Sequence, residues 1–169
     1  MRILGIDPGL AIVGFGVVET GKRDPIHIRH GVIRTPAGEP LARRLLTVYE
    51  DFCELIEAFK PDALAIEELY FQKNVNTALP VAHSRGVILM TAQRHGLTVA
   101  EYSPQQVKMA VTGYGNADKK QMMEMTRVLL GLQNTPRPDD AADALAVAVC
   151  HMYASRGLAN VKWKMENGK

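Results

Sequence analysis

Residues 2–20 read RILGIDPGLAIVGFGVVET. Two runs of β-branched and apolar residues, RILGID and IVGFGVVET, flank the turn signal DPG. A third run, IHIRHGVIRT at 26–35, follows a second turn at TGKRDP. Three strands joined by short connections predict an antiparallel meander. The period then changes. Leu41, Leu45, Val48, Phe52, Leu55, Ile56 and Phe59 recur at helical spacing, and Lys60, placed before Pro61, ends that helix. ALAIEELY at 63–70 reads as a fourth strand, Thr77 to His95 as a helix closed by Gly96, and LTVAEY at 97–102 as a fifth strand. Beyond Ser103-Pro104 three more helices are predicted, around Gln105 to Val111, from Asp118 to Leu130 with Gly131 closing it, and from Pro138 to Ser155. Three antiparallel β-runs followed by alternating helix and strand imply an α/β fold, a mixed sheet flanked by helices.

At 169 residues and 47% hydrophobic content the chain suffices for one domain, residues 1–155, followed by a basic tail at 156–169 that is expected to be flexible. The formal net charge of +2 leans only weakly toward an acidic partner. Cys53 and Cys150 sit in helical apolar patterns without zinc spacing and read as buried, reduced thiols. No apolar stretch approaches the roughly 18 residues of a membrane span, and the first residues lack a signal-peptide pattern, so a soluble, cytoplasmic protein is expected.

The acids fall at informative places. Asp7 ends the first strand immediately before Pro8-Gly9, and Glu67 lies toward the end of the fourth. If those strands are neighbours, two carboxylates distant in sequence meet at one sheet edge. In PRPDDAADALA at 136–146, Asp143 follows Asp140 by three and Asp139 by four, spacings that share a helical face. Singly, an Asp before Pro-Gly is most often a turn residue, and acids opening a helix are most often caps. Convergence of all of them would be costly, because two like charges at about 4 Å repel by roughly 4 kcal/mol at an effective dielectric near 20. A cation must sit among them, or some must hold protons. An all-oxygen donor set lacking Cys and His suits Mg2+ or Mn2+. A pair of such ions can activate a water on one side of a phosphodiester and stabilise the leaving oxygen on the other.

GIDPG with GFGVV behind it, AIEELY, SRGV at 84–87, EYSPQQVK at 101–108, TGYGNADKKQ at 112–121 and DDAADALA at 139–146 together resemble, in order and spacing, the RuvC family of Holliday-junction resolvases. The resemblance extends to about residue 155. It implies a ribonuclease H-like fold with a five-stranded mixed sheet, three antiparallel strands then two parallel. It also implies a homodimer that binds a four-way DNA junction in recombination and repair, nicks two strands symmetrically, and leaves 5′-phosphate and 3′-hydroxyl ends. The cofactor implied is Mg2+, two ions per site, with Mn2+ as a possible substitute; a branch-migration motor is the further partner.

Asp7, Glu67, Asp140 and Asp143 match the family's four metal-binding, catalytic acids. Glu68 and Asp139 each stand beside one of them. Strand alternation sends Glu68 to the face opposite Glu67. Helix geometry does not separate Asp139 from Asp140; the frame D-A-A-D selects Asp140, and Asp139, just after Pro138, suits the positive end of the helix. Lys108 and Lys119 match lysines that the family places near DNA and the scissile phosphate, and Lys120 adds a neighbouring charge at the Gly-rich bend TGYGNADKK. Tyr70 matches an aromatic that stacks on an unpaired base, a contact worth roughly 1–3 kcal/mol, and adjacent Phe71 leaves the choice of ring open. Lys73 and Asn74, in QKNVNT, carry polar groups for DNA.

Other residues read as structural. Met122, Met123 and Met125 suit core gaps, and His83 and His151 lack a ligand set. The helix bearing Leu79, Ala82, Gly86, Val87 and Met90 fits either a two-fold interface or a sheet-covering role. Three rival functions remain. DPGLAIVGFG also resembles the phosphate-binding turn of actin-like and sugar-kinase ATPases, but those need a second lobe that this length does not supply. A catalytically inactive junction scaffold is disfavoured by the complete acid set. A ribonuclease H-type RNA-strand nuclease is compatible with the fold and is separated by a hybrid-duplex substrate.

Overall fold

The strands β1 (Arg2–Asp7), β2 (Ile12–Thr20) and β3 (Pro25–Arg34) pair antiparallel, and the chain then crosses over to lay β4 (Ala63–Glu67) parallel to β1 and β5 (Thr98–Tyr102) parallel to β4. The sheet order is therefore β3-β2-β1-β4-β5, the mixed arrangement expected from the sequence. The computed structural model describes residues 1–69 and 75–167. Five helices are seen among them: α1 (Leu41–Phe59), α2 (Val75–Arg94), α3 (Pro104–Thr112), α4 (Lys119–Leu129) and α5 (Asp139–Asn167).

The period-two pleat sorts the strand residues between two cores. Leu4, Ile6, Leu64 and Ile66 pack with Val48, Phe52 and Ile56 of α1 and Ile88 of α2. Ile3, Val18 and Ala65 pack on the other face with Val107 and Val111 of α3, Met122 of α4 and Leu145 to Cys150 of α5. Asp7 continues the Ile3, Gly5 series and Glu67 the Ala63, Ala65 series, so both carboxylates emerge on the α5 face.

Local chemistry fixes the helix ends. Lys60 takes a left-handed conformation (φ 45°) and its N–H bonds the Ile56 carbonyl at 2.8 Å, consistent with Pro61 disfavouring a further helical residue. Capping boxes at Ser103/Gln106 and Asp118/Gln121 start α3 and α4, the helices that carry Lys108 and Lys119.

α5 lies directly on the sheet because glycines and alanines permit it. A Cβ on Gly14 would come within 2.0 Å of the Asp140 carbonyl oxygen, and one on Gly5 within 2.1 Å of that of Ala144. With α3 and α4 covering its outer side, Ala144 through Cys150 are all buried, which explains why this stretch of the helix is apolar on every face.

Two expectations differ from the structure. α5 continues past Ser155 to Asn167; the added segment contains no proline, and its one glycine, Gly157, costs only about 1 kcal/mol in a helix. Arg156 in it donates to the Gly21 and Arg23 carbonyls. Cys53 is half-buried rather than buried, with Sγ 3.7 Å from His95 Nε2, while Cys150 is buried as expected. Among the described residues no helix is long and apolar enough to cross a membrane.

Candidate active site

β1 and β4 are neighbours in register, with Ile6 opposite Ile66, so Asp7 and Glu67 follow side by side at the same end of the sheet. On its other flank Asp7 pairs with Gly14 of β2, and it is over Gly14 that the Asp140 backbone rests. The end of the two central strands and the first two turns of α5 thus bring Asp7, Glu67, Asp140 and Asp143 into a single electrostatic cluster. Their mutual influence is visible in the proton affinities. Burial, followed by the charges of Asp143, Glu67 and Asp140, pushes the Asp7 carboxyl up to about 7, with Lys119 opposing the rise. Glu67 is raised by burial and then by Asp143, against the lowering charges of Lys119 and Lys108. Asp143 is raised chiefly by burial, its hydrogen bond to Lys119 working the other way.

Lys119 supplies a cation to this cluster. Its Nζ is ion-paired with Asp143 Oδ2. Burial alone would lower its proton affinity, but the hydrogen bond and charge of Asp143, followed by Asp139 and Asp7, outweigh it and hold the ammonium above its ordinary value. Lys108 shares with Lys119, Glu67 and Asp143 a cleft of about 210 Å³. Lys120 does not line that cleft; it borders adjoining grooves with Gln121 and with Arg137.

The two acidic doublets separate. Asp139 accepts a hydrogen bond from Arg137 at 2.7 Å, with its side chain 45% exposed, and its charge reaches Asp143 and Lys119, whereas Asp140 acts on both Asp7 and Asp143. Glu68 lies beyond the end of β4, where its charge acts on Arg85 of α2. Tyr70, Phe71, Lys73 and Asn74 lie outside the described residues.

Sequence reasoning missed Arg85, whose Nε donates to the Glu67 carbonyl at 3.3 Å while its guanidinium pairs with Glu101, so it pins the end of β4. It also missed Tyr102, which pairs with Glu67 across the β4–β5 ladder and whose hydroxyl bonds His151 Nδ1 at 2.7 Å, joining β5 to α5. Arg85 and Tyr102 stand inside the motifs SRGV and EYSPQQVK, but nothing local in those motifs states what either side chain touches.

The donor set is all oxygen and carries more negative charge than one ammonium offsets, which suits a hard divalent cation. Among the described residues no three His, Cys, Asp or Glu groups close into one ligand shell, so the fit lies in charge and donor chemistry rather than in a preformed cage.

A family model described as crossover junction endodeoxyribonuclease RuvC matches residues 3–151. The chain belongs to the RuvC family. A RuvC relative named crossover junction endodeoxyribonuclease, from Moorella thermoacetica, is 56% identical over 151 residues, covering 89% of this chain and 90% of its own. The solved structure of Thermus thermophilus RuvC in complex with Holliday junction substrate is similar at a TM-score of 0.87 and 37% identity, over 93% of this chain and 96% of that one. The fold is accordingly ribonuclease H-like. A yeast mitochondrial Holliday junction resolvase, 17% identical at a TM-score of 0.69 and covering 94% of this chain and 82% of that one, shares the fold.

Proposed function

We propose that this protein is a crossover-junction endodeoxyribonuclease that binds a four-way DNA junction and nicks two strands symmetrically, leaving 5′-phosphate and 3′-hydroxyl ends. The observation that carries this reading is the gathering of Asp7, Glu67, Asp140 and Asp143 around one end of the sheet, with Lys119 among them. Those four acids are the residues that would hold Mg2+, two ions per site, with Mn2+ as a substitute. The metal, when bound, activates water and stabilises charge on the phosphodiester oxygens. The chain's own contribution is to assemble the acids on rigid elements, with Gly14 admitting the α5 backbone and Arg85 fixing the end of β4. The Asp7 carboxyl, pushed up to about 7 by burial and its acidic neighbours, has to release its proton to act as an anionic ligand. Lys108 and Lys119 present positive charge along the cleft to the strand being cut. Tyr70, Lys73, Asn74 and Lys120 are proposed as further DNA contacts.

A homodimer places two such sites on one junction. The exposed apolar residues Leu79 and Met90 on α2, with Gly86 between them, support this helix as the two-fold contact. The nuclease unit is residues 1–155, and a branch-migration motor is the proposed partner in the cell. The test compares an immobile four-way junction, a linear duplex and an RNA–DNA hybrid, each with Mg2+ and with EDTA, on native and denaturing gels. Metal-dependent paired nicks confined to the junction are expected. Binding without nicks would favour an inactive scaffold, and cleavage of the hybrid alone would reassign the substrate.

A further inference from the structure

We propose that Arg44 forms a second phosphate-binding element, gripping the DNA backbone on the Asp140 side of the acid cluster, away from the Lys108 and Lys119 cleft. The proposal rests on the junction-binding reading above and adds a contact to it. Arg44 lies in the first turn of α1, where a cation opposes the helix dipole, so helix stability does not account for its presence. Its Nε donates to Thr35 Oγ1 at 2.9 Å. Thr35 is only 6% exposed, its hydroxyl donates to the Leu10 carbonyl at 2.6 Å and its N–H to the Ala11 carbonyl at 3.1 Å. The arginine is therefore held at one corner of its guanidinium against the turn that follows Asp7.

The rest of the guanidinium has no hydrogen-bond partner among the described residues. Among the described residues Arg44 makes no ion pair, and it lines a groove of about 500 Å³ whose other walls are the Gly9 to Ile12 turn, Pro80 and Val81 of α2, and Asp140. Arg44 and Asp140 are the only charged ones among the described residues lining the groove. A polyanionic strand entering there would meet the repulsion of Asp140 unless a cation balanced it. A planar fork fixed at Nε leaves its terminal N–H groups to bind two phosphate oxygens. The competing reading is a purely structural clasp, in which Arg44 only pins the β1–β2 turn through Thr35.

The two readings differ in how binding responds to salt. Junction affinity of wild type and Arg44→Met is measured in EDTA across a salt series. Loss of one phosphate contact reduces the slope of log K against log salt by about 0.9 per protomer engaged, whereas a structural clasp lowers thermal stability and leaves the slope alone. A reduced slope is the expected result; an unchanged slope overturns the proposal. A second measurement uses wild-type protein alone, so it does not depend on the variant folding. Arginine modification by a dicarbonyl reagent, read by mass spectrometry, should label Arg44 in the free protein and spare it when junction is bound, and labelling unaffected by DNA would also overturn the proposal. If wild type fails to bind the junction, the functional reading falls and this inference with it. If wild type binds and Arg44 shows neither effect, only this inference fails.

Discussion

Asp7 and Glu67, sixty residues apart in sequence, end adjacent parallel strands in the same register, one position beyond the Ile6 and Ile66 pair. Their proximity has a thermodynamic signature. The Asp7 carboxyl rises from 3.8 to about 7 on folding because burial and three neighbouring acids disfavour its anion. A raised acid contributes stability that is fully present below its unfolded value near 4 and is lost as pH climbs through 7. Glu67 and Asp143 shift in the same direction. In EDTA, Asp7→Asn is therefore expected to be more stable than wild type at pH 8, by up to about 4 kcal/mol, with the gain vanishing below about pH 4. Urea denaturation at the two pH values measures this, and a variant less stable than wild type at pH 8 would contradict it.

Added Mg2+ should reverse that ranking. A cation bound by the native acids stabilises the folded state by mass action, so wild type above pH 7 is expected to gain melting temperature with increasing Mg2+. Asp7→Asn should gain less. Equal shifts in a thermal melt would remove Asp7 from the ligand set.

Lys119 balances the cluster through Asp143. Lys119→Ala should reduce junction cleavage at saturating Mg2+ and flatten its salt dependence, since a cation facing the strand is lost. Cleavage rates that match wild type at every salt concentration would assign Lys119 to the metal-free ion pair alone.

Asp139 is paired with Arg137 at the edge of the cluster, while Asp140 bears on Asp7. Asp140→Asn should thus impair cleavage far more than Asp139→Asn in a single-turnover assay. The opposite ranking would move the site by one residue along α5.

Gly14 joins fold to site. A methyl group there meets the Asp140 carbonyl at 2.0 Å, a backbone atom that yields only if α5 lifts from the sheet. Gly14→Ala is expected to cost about 3 kcal/mol or more and to depress cleavage beyond what the stability loss explains. A thermal melt within a degree of wild type would show that α5 is not seated as described.

Much of this was legible in the sequence because the signals are local. The DPG and TGKRDP turns marked the meander, Pro61 stopped α1, and the even spacing of Asp7 and Glu67 relative to their strand neighbours set their face. The strand pairing that makes them meet was only a condition on the sequence, since register between β1 and β4 is a tertiary property. The doublet at Asp139 and Asp140 could not be split by helix geometry because both project from the same turn; the fold adds a partner for Asp139 in Arg137, two residues before it. Arg85 and Arg44 escaped notice for the same reason. An isolated arginine carries no periodicity, and its role depends on which carbonyl or hydroxyl the fold places beside it.

The most direct test of the central claim is single-turnover cleavage of an end-labelled immobile junction by wild type and Asp7→Asn with Mg2+, with binding measured in parallel. Wild type should give paired symmetric nicks, and Asp7→Asn should bind as well or more tightly, because one repulsive charge facing phosphate is gone, yet cut nothing. Cleavage by Asp7→Asn at the wild-type rate would mean that the acids gathered at this end of the sheet are not the site of the reaction.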